Sequence, residues 1–348
     1  MRIAIVNDLM VAVEVLRRII TISKKHQVAW IAHNGAEALR CCALDVPDLV
    51  LMDLYMPGMS GVECTRRIMA TTPCAIVVVT SSVTEHLADV FNAMGVGALD
   101  AVNTPIQFDA QNQDSVNELL RKIDTIERLT NSTRLPDLPR KEPKPLPVRA
   151  SDDALVVIGS SSGGPQALAK ILSGLPADFP AAIVIAQHID AQFVGELSRW
   201  LSSQTLLNVR LARHDDGLAE GEVFLANAND HLVLTKRGTL GYTSTPESVY
   251  RPSVDVLFDS IAEHWQGRVV AVLLTGMGRD GARGLLRLRE GGACTISQDR
   301  ASCAVYGMPK AASEMNAASE ILPLDKIANA LISKVMKSRC RPSLGGVA

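Results

Sequence analysis

Three serines stand between glycines at residues 159–164, Gly-Ser-Ser-Ser-Gly-Gly, directly after the apolar run 155–158. A short β-branched run of this kind is typical of a buried strand, and Pro165 suits the first turn of a following helix. The spacing also fits a nucleophile elbow with Ser161 at its centre, which would present a hydroxyl at the edge of a sheet. Amides at the start of the helix would favour negative charge that develops there. Because short glycine–serine patterns often match by chance, a phosphate-binding or structural loop remains an alternative on this motif alone.

Two more apolar strands in the same half of the chain are predicted to end at His188 and Asp280. If the strands are parallel, both ends lie on the same sheet edge as Ser161. A serine is a weak nucleophile that needs a base, and histidine is the side chain that titrates near neutrality. A carboxylate behind the histidine fixes its tautomer and stabilises the imidazolium. The pattern therefore predicts a serine-hydrolase triad, with His231, which follows a loop Asn-Asp pair, as the strongest rival base.

The first half of the chain alternates apolar strands with amphipathic helices. Strands are predicted at residues 2–6, 28–32, 48–52, 75–80 and 98–102. This (βα)5 order predicts a parallel sheet covered by helices on both faces, with its chemistry at the carboxyl ends of the strands. Asp8, Asp53 and Thr80 stand at three of those ends, and two carboxylates with a hydroxyl indicate a site for a hard cation such as Mg²⁺. The alternative is a set of ordinary polar loops, in which Asp8 caps the first helix.

A proline-rich, charged segment at residues 129–152 separates the two halves. Its five prolines and its excess of basic side chains, without a periodic apolar face, indicate an extended and semi-stiff linker. Strand–helix alternation then resumes, so we predict one domain at residues 1–128 and a second at residues 153–342. The second domain is expected to be a doubly wound, mostly parallel α/β sheet.

Composition excludes several classes of protein. The 348 residues are 47% hydrophobic and carry a formal net charge of −2, which gives no basic footprint for nucleic acid. No apolar run reaches the ~18 residues that span a bilayer, and residues 1–8 turn polar too soon for a signal peptide. The seven cysteines, an odd number without a Cys-x-x-Cys pair, indicate reduced and mostly buried thiols. We therefore expect a cytoplasmic protein with no nucleic-acid partner and no membrane insertion.

The stretch Leu-Val-Leu-Met-Asp-Leu-Tyr-Met-Pro-Gly-Met-Ser-Gly at residues 49–61 resembles the phospho-acceptor loop of response-regulator receiver domains. The resemblance implies that Asp53 is phosphorylated and that Thr80 is the switch hydroxyl. It also implies a Mg²⁺ ion held by Asp8, Asp53 and the carbonyl of Tyr55.

Two positions depart from the receiver pattern. Asn7 stands where the family usually has a further acidic residue, and Thr104 stands where it usually has a lysine before the proline. A threonine cannot neutralise the charge of a phosphoryl group as an ammonium does. Our hypothesis is that Asp53 still accepts a phosphoryl group, with an altered rate or weaker switching.

Several blocks of the second half resemble the CheB methylesterase domain, and they lie at residues 158–164, 186–188, 251–258, 274–280 and 305–309. The resemblance implies hydrolysis of glutamate γ-methyl esters on cytoplasmic helices of methyl-accepting chemoreceptors, and deamidation of glutamines on the same receptors. It makes Ser161 the nucleophile, His188 the general base and Asp280 the orienting acid. Backbone amides at Ser162 and Met277 are the implied oxyanion donors, and the esterase needs no cofactor.

The resemblance also implies partners and regulation. Chemoreceptors would be the substrate and a CheA-type histidine kinase the phosphoryl donor, which gives adaptation of a chemosensory pathway. Ile-Val-Asn-Asp at residues 5–8 and Leu-Asp-Ala-Val-Asn-Thr-Pro at residues 99–105 are similar to methylesterases of Wsp-type surface-sensing systems. We expect the unphosphorylated receiver to occlude the triad. The alternative, from another class, is a non-catalytic regulator that binds receptor helices without hydrolysis.

Overall fold

The computed structural model describes residues 1–83, 85–105, 113–131, 153–227, 229–248 and 250–336. Its contacts divide the chain into two units, Met1–Leu138 and Pro139–Ala348, and the division falls inside the segment predicted as a linker. The last helix of the first unit ends at Asn131, so the first three residues of that segment are helical. The rest of the predicted linker and residues 337–342 of the predicted second domain lie outside the described residues. None of the described helices is long and apolar enough to cross a membrane.

The first unit has the predicted (βα)5 fold. Its strands are β1 (Arg2–Val6), β2 (Gln27–Ala32), β3 (Leu49–Met52), β4 (Ala75–Thr80) and β5 (Asp100–Asn103). Its helices are α1 (Met10–Ile22), α2 (Gly35–Leu44), α3 (Gly61–Thr71), α4 (Leu87–Gly95) and α5 (Gln113–Asn131). All strands are parallel, in the order β2-β1-β3-β4-β5. The order changes direction between β1 and β3, which is where sheets of this type bind ligands.

Local sequence accounts for the elements of this unit. The central strands are apolar runs that are buried along their length, as expected for a sheet covered on both faces. Helix α1 buries Val13, Leu16 and Ile20 on one face at helical spacing. Asn34 and Ser60 begin α2 and α3 as N-caps, because each side chain accepts a hydrogen bond from an amide of the first turn.

The second unit contains a seven-stranded parallel sheet and a separate antiparallel hairpin. The sheet strands are β6 (Ala154–Ser160), β7 (Ala182–Gln187), β8 (Asn208–Leu211), β9 (Glu222–Leu225), β12 (Arg268–Leu273), β13 (Cys294–Gln298) and β14 (Glu320–Leu322), and the hairpin strands are β10 (His231–Leu234) and β11 (Leu240–Thr243). The helices are α6 (Gly164–Ser173), α7 (Ala191–Gln204), α8 (Val254–His264), α9 (Ala282–Glu290), α10 (Met308–Glu314) and α11 (Leu324–Met336).

The middle of this sheet positions three of the predicted functional residues. The strand order is β14-β13-β12-β6-β7-β9-β8, so β6 pairs with β12 on one side and with β7 on the other. The order reverses at β6, and α/β sheets bind ligands at such points. Ser161, His188 and Asp280 follow these three neighbouring strands, so their segments meet at one edge of the sheet.

The structure departs from the sequence-based prediction in several details. Strands β11 and β14 were not predicted, because runs of three or four residues carry too little pattern to be recognised. The described cysteines are all free, as expected, but only Cys42 and Cys64 are buried. The prediction of mostly buried thiols was therefore wrong for the other described cysteines, Cys41, Cys74, Cys294 and Cys303.

Candidate active site

Ser161 lies in the tight turn between β6 and α6, as the sequence predicts. Its amide donates to the carbonyl of Thr275 at 3.0 Å, and its carbonyl accepts from the amide of Gly164 at 2.8 Å. Gly163 has a φ of +78°, a left-handed conformation that favours glycine, and a Cβ there would lie 2.6 Å from the Cβ of Ala304. The turn is therefore held on both sides, and Ser161 keeps 8% of its surface exposed.

His188 and Asp280 form the predicted pair of base and carboxylate. Nε2 of His188 lies 2.8 Å from Oδ2 of Asp280. Nδ1 of the same ring is buried and has no hydrogen-bond partner among the described residues. With Asp280 on Nε2, Nδ1 is the ring atom left to take a proton from Ser161. Hydrogen bonds between nucleophile and base are often long or absent before substrate binds, so the lack of one here is compatible with a triad.

The carboxylate of Asp280 is held at the start of α8. It accepts from Oγ of Ser253 at 2.8 Å and from the amides of Val254 and Asp255 at 2.7 and 3.1 Å. Burial opposes ionisation, but the hydrogen bond from His188 and the amide donors outweigh it and hold the pKa of Asp280 below its usual value. Asp280 therefore stays ionised, which allows it to orient the imidazole and to stabilise its charged form.

His231, the rival base, has a structural role. Its Nδ1 accepts from the amide of Ser253 at 3.0 Å, so its Nε2 carries the proton and donates to the carbonyl of Pro246 at 2.9 Å. The side chain is fully buried and both ring nitrogens are used. The structure thus separates the two histidines: His188 keeps a free acceptor, whereas His231 supports the segment that leads into α8.

Gln187 joins the turn that contains Ser161 to the residue after β7, His188, and was not singled out from the sequence. Its side chain is fully buried, and its nitrogen donates to the carbonyls of Ser161 and His188 at 2.9 and 2.8 Å. Its oxygen accepts from Oγ of Ser160 at 2.6 Å. A Cβ on Gly164 would lie 1.9 Å from this oxygen, so only glycine fits at the start of α6. A glutamine that ends an otherwise apolar strand is the signal that could have identified this residue.

The loop after β12 brings backbone against the nucleophile. A Cβ on Gly276 would lie 2.7 Å from the Cβ of Ser161, so the loop approaches Ser161 closely only because position 276 has no side chain. The next residue is Met277, and its amide makes no hydrogen bond to another described residue. The carbonyl of Ser162 accepts from Oγ1 of Thr275 at 2.9 Å, which fixes the turn beside this loop. The oxyanion roles of Ser162 and Met277 stay predictions that this arrangement favours.

The phosphorylation site predicted in the first unit contains buried oxygen donors at the ends of β3 and β4. Burial, together with the charge of Asp8, raises the pKa of Asp53 to about 6, although the amide of Tyr55 donates to it at 3.4 Å. Oγ1 of Thr80 is buried and has no hydrogen-bond partner among the described residues. Two interacting carboxylates and an unpartnered hydroxyl suit a divalent cation and a phosphoryl group. The predicted metal ligands therefore fit, and the part assigned to the carbonyl of Tyr55 stays a prediction.

Both departures from the receiver pattern contribute to local structure. Oδ1 of Asn7 accepts from the amide of Leu9 at 2.8 Å, which orders the entry into α1. The amide of Thr104 donates to the carbonyl of Thr80 at 2.8 Å and continues the pairing of β4 with β5. The side chain of Asn7 makes its contact, whereas Thr104 uses only its backbone amide, so that contact does not explain the threonine. Neither contact supplies a charge.

A histidine outside the recognised motif, His86, lies near the predicted phosphorylation site and contacts the ring of Tyr55. The charge of His86 acts to lower the pKa of Asp53. Nδ1 of His86 lies 2.9 Å from the hydroxyl of Tyr55, which also donates to Asp89 at 2.5 Å. No pattern in the sequence distinguishes His86 from the other histidines, because its proximity to this site depends on how the segment between β4 and α4 folds.

We expect Asp255→Asn to stabilise the protein at pH 8 by on the order of 1–3 kcal/mol, and much less at pH 5. Asp255 accepts from the amide of Gly284 at 2.8 Å, and burial together with the charge of Asp280 raises the pKa of Asp255 to about 7. Because the folded state favours the protonated acid, ionisation of Asp255 lowers the free energy of unfolding as pH rises from about 4 to 7. Asparagine mimics the protonated form, and calorimetry at the two pH values measures the difference.

Glu263→Gln is the matched control for this variant. Glu263 lies on the same helix, is 45% exposed, and lies 3.8 Å from Arg287. Its replacement should give no gain in stability that grows with pH, since exposed ion pairs contribute little. Equal stability differences for Asp255→Asn at pH 5 and pH 8 would contradict the assignment.

Comparisons with known proteins agree with both units. A family model described as a response regulator receiver domain matches residues 3–113, and one described as CheB methylesterase matches residues 156–331. A protein-glutamate methylesterase/protein-glutamine glutaminase of Burkholderia lata is 53% identical over 339 residues, which are 97% of this chain and 99% of the relative. A relative of the same description from Pseudomonas fluorescens is also 53% identical, and the match covers 95% of this chain and 98% of the relative.

A solved structure supports the fold of the second unit. The crystal structure of the Thermotoga maritima CheB methylesterase catalytic domain matches with a TM-score of 0.50 and 37% identity. The match covers 53% of this chain and the whole of that domain. The fold, the placement of Ser161, His188 and Asp280 at one edge of the sheet, and the near full-length relatives lead to one conclusion: this chain belongs to the CheB methylesterase family, with a response-regulator receiver domain preceding its esterase domain.

Proposed function

We propose that this chain hydrolyses glutamate γ-methyl esters in a protein substrate and deamidates glutamines on the same substrate, under the control of phosphorylation at Asp53. The observation that carries the proposal is the hydrogen bond between His188 and Asp280 beside Ser161, at the edge of three adjacent parallel strands. Relatives of nearly the same length are described as protein-glutamate methylesterase/protein-glutamine glutaminase, which supports the two substrate groups.

In the first half of the proposed reaction, Oγ of Ser161 attacks the ester carbonyl while its proton passes to Nδ1 of His188. The electron pair of the carbonyl moves to oxygen, where the amides of Ser162 and Met277 would stabilise the negative charge. Collapse of this intermediate breaks the bond to the methoxy group, which takes the proton from His188 and leaves as methanol. Asp280 stabilises the imidazolium while the proton resides there.

Water completes the cycle by the reverse sequence. His188 takes a proton from a water molecule that attacks the acyl-serine, and it returns the proton to Oγ of Ser161 as the glutamate carboxylate leaves. A glutamine side chain follows the same path, with ammonia as the leaving group in place of methanol. The described residues of this site need no metal for either step.

The substrate that we propose is a methyl-accepting chemoreceptor, modified on its cytoplasmic helices, and the phosphoryl donor is a CheA-type histidine kinase. Removal of methyl groups would then give adaptation of a chemosensory pathway. The support is the joining of a receiver domain to a methylesterase domain in one chain. Residues 5–8 and 99–105 are similar to the corresponding segments of Wsp-type enzymes. The output of the pathway stays a prediction.

In the receiver, Asp8, Asp53 and the carbonyl of Tyr55 would hold Mg²⁺, which when bound offsets the charge of the phosphoryl group. Asp53 supplies the carboxylate oxygen that takes the phosphoryl group. The unpartnered hydroxyl of Thr80 would then donate to a phosphoryl oxygen. We propose that this event relieves inhibition of the esterase by the receiver.

Ser161→Ala should lower methanol release from methylated receptor membranes by at least about a thousandfold, because no other oxygen replaces the nucleophile. Gas-phase or enzymatic detection of methanol measures the rate. Ser203→Ala is a control, since that serine is exposed on α7 and its hydroxyl donates only locally, to the carbonyl of Trp200. Near wild-type release by Ser161→Ala would contradict the nucleophile, and receptor binding by a wild-type chain that releases no methanol would favour the non-catalytic regulator.

Gln187→Met should lower kcat by about ten- to a hundredfold with KM within about threefold, because the variant frees the carbonyls that fix Ser161 and His188. Thr295→Val is the matched control. Thr295 is also fully buried, and its hydroxyl donates to the carbonyl of Ala317 at 2.9 Å, away from the triad. Both variants should lose stability, and only Gln187→Met should lose kcat. Equal losses of kcat would show a general effect of stability instead.

Asp53→Asn should abolish labelling of the chain by a small acyl phosphate, and removal of Mg²⁺ with a chelator should abolish labelling of the wild type. Radiolabel incorporation or a phosphate-affinity gel measures the outcome. Asp48→Asn is the control, because Asp48 is exposed and accepts from the amide of Arg2 at 2.6 Å. Label that survives in Asp53→Asn would place the acceptor elsewhere, and label that survives chelation would contradict the metal.

Residues 153–348 alone should release methanol several-fold faster than the unphosphorylated full chain. Incubation of the full chain with the acyl phosphate should raise its rate toward that of the fragment, and Asp53→Asn should prevent the rise. The comparison at equal enzyme concentration measures inhibition by the receiver. A fragment no faster than the full chain would refute this form of regulation.

A further inference from the structure

The ring of Tyr250 lies flat against the catalytic histidine. The ring centroids of Tyr250 and His188 are 4.2 Å apart, and the two planes differ by 11°. Tyr250 comes from the segment before α8, whereas His188 follows β7, so the stack is a tertiary contact between distant parts of the chain. The imidazole is thus held on its Nε2 edge by Asp280 and on one face by an aromatic ring.

The hydroxyl of Tyr250 does not explain why a tyrosine stands here. It is buried and has no hydrogen-bond partner among the described residues. It fits because position 278 is a glycine with a φ of +85°, where a Cβ would lie 2.2 Å from the hydroxyl oxygen. Burial and the charge of Asp280 both raise the pKa of Tyr250, so the hydroxyl stays neutral. The part of the side chain in contact with the base is its π face.

A π face interacts differently with the two forms of the base. In the proposed reaction His188 is neutral before attack and becomes an imidazolium when it takes the proton of Ser161. The face of an aromatic ring attracts a cation more strongly than a neutral group, and the attraction grows when water is excluded. An interaction that strengthens as the proton arrives lowers the barrier, whereas one of constant strength does not.

We propose that Tyr250 is a positioning residue for His188, whose ring holds the plane of the imidazole and stabilises its protonated form through the π face. This inference rests on the proposed function for its effect on rate, but its effect on the titration of His188 does not. Asp280 faces the imidazole from the loop after β12, and Asp255 lies behind Asp280 at the start of α8. Tyr250 donates none of the hydrogen bonds that hold Asp280, so its replacement removes none of them and the change reports on the ring.

The test compares the full-length wild type with Tyr250→Leu, Tyr250→Met and Tyr250→Phe. The titration of His188 is followed by NMR of ¹³C-labelled histidine and assigned by the signal lost in His188→Gln. We expect the midpoint to move to lower pH by about half a unit to one unit in the Leu and Met variants, and not to move in the Phe variant. Loss of the ring should also lower kcat for methanol release about three- to tenfold, with KM unchanged.

Each outcome supports or overturns the inference. An unmoved midpoint in folded Leu or Met variants would overturn it, and so would a Phe variant that shifts as much as they do, since the hydroxyl would then be the active group. Leu and Met differ in shape, so a folding defect in one of these variants does not prevent the test with the other. Failure of the proposed function shows separately, as a wild type that releases no methanol while its His188 midpoint still depends on the ring.

Discussion

A buried carboxylate that must stay ionised governs the arrangement of the esterase unit. Removing a carboxylate from water costs several kcal/mol unless protein donors replace its hydration. Asp280 has such donors on both oxygens: Oγ of Ser253, the first amides of α8 and Nε2 of His188. This requirement ties the loop after β12, the start of α8 and the end of β7 to one point. The position of the His188 ring follows from this arrangement, because the ring is one of the donors to Asp280.

The close approach of α8 explains residues that carry no chemistry. A Cβ on Gly159, within β6, would lie 2.2 Å from Val254, the first residue of the helix. A Cβ on Gly281 would lie 2.6 Å from the same side chain. A glycine within β6 and a glycine at the start of α9 therefore serve one purpose, which is to let the amides of α8 reach Asp280. His231 supports the same approach from behind, since its Nδ1 holds the amide of Ser253.

Sequence reasoning found the residues that follow strands and missed those that act across the fold. Ser161, His188 and Asp280 were predictable because apolar strands are easily recognised and parallel strands share an edge. The contacts of Gln187 and Tyr250 were not predictable, because they depend on which distant backbone carbonyl or ring each side chain meets, although a polar residue at the end of an apolar strand marks position 187. The role of His231 was open for the same reason: a histidine after a loop looks the same in sequence whether its nitrogens are free or used. The short strands β11 and β14 were missed because their pairing partners, and not their own patterns, define them.

Asp53 and Asp280 hold similar positions after buried strands, but the pKa values of their carboxyl groups are shifted in opposite directions. Both are buried at the edge of a parallel sheet. Asp280 accepts several strong hydrogen bonds, and its pKa lies below the usual value. The pKa of Asp53 is raised to about 6, because burial and Asp8 oppose its charge and its donors are weaker. A carboxylate with its charge already satisfied can orient a neighbour through many cycles, whereas one left short of donors gains most from a cation and a new covalent partner. The number of donors therefore distinguishes the two carboxylates, although both lie at the edge of a parallel sheet.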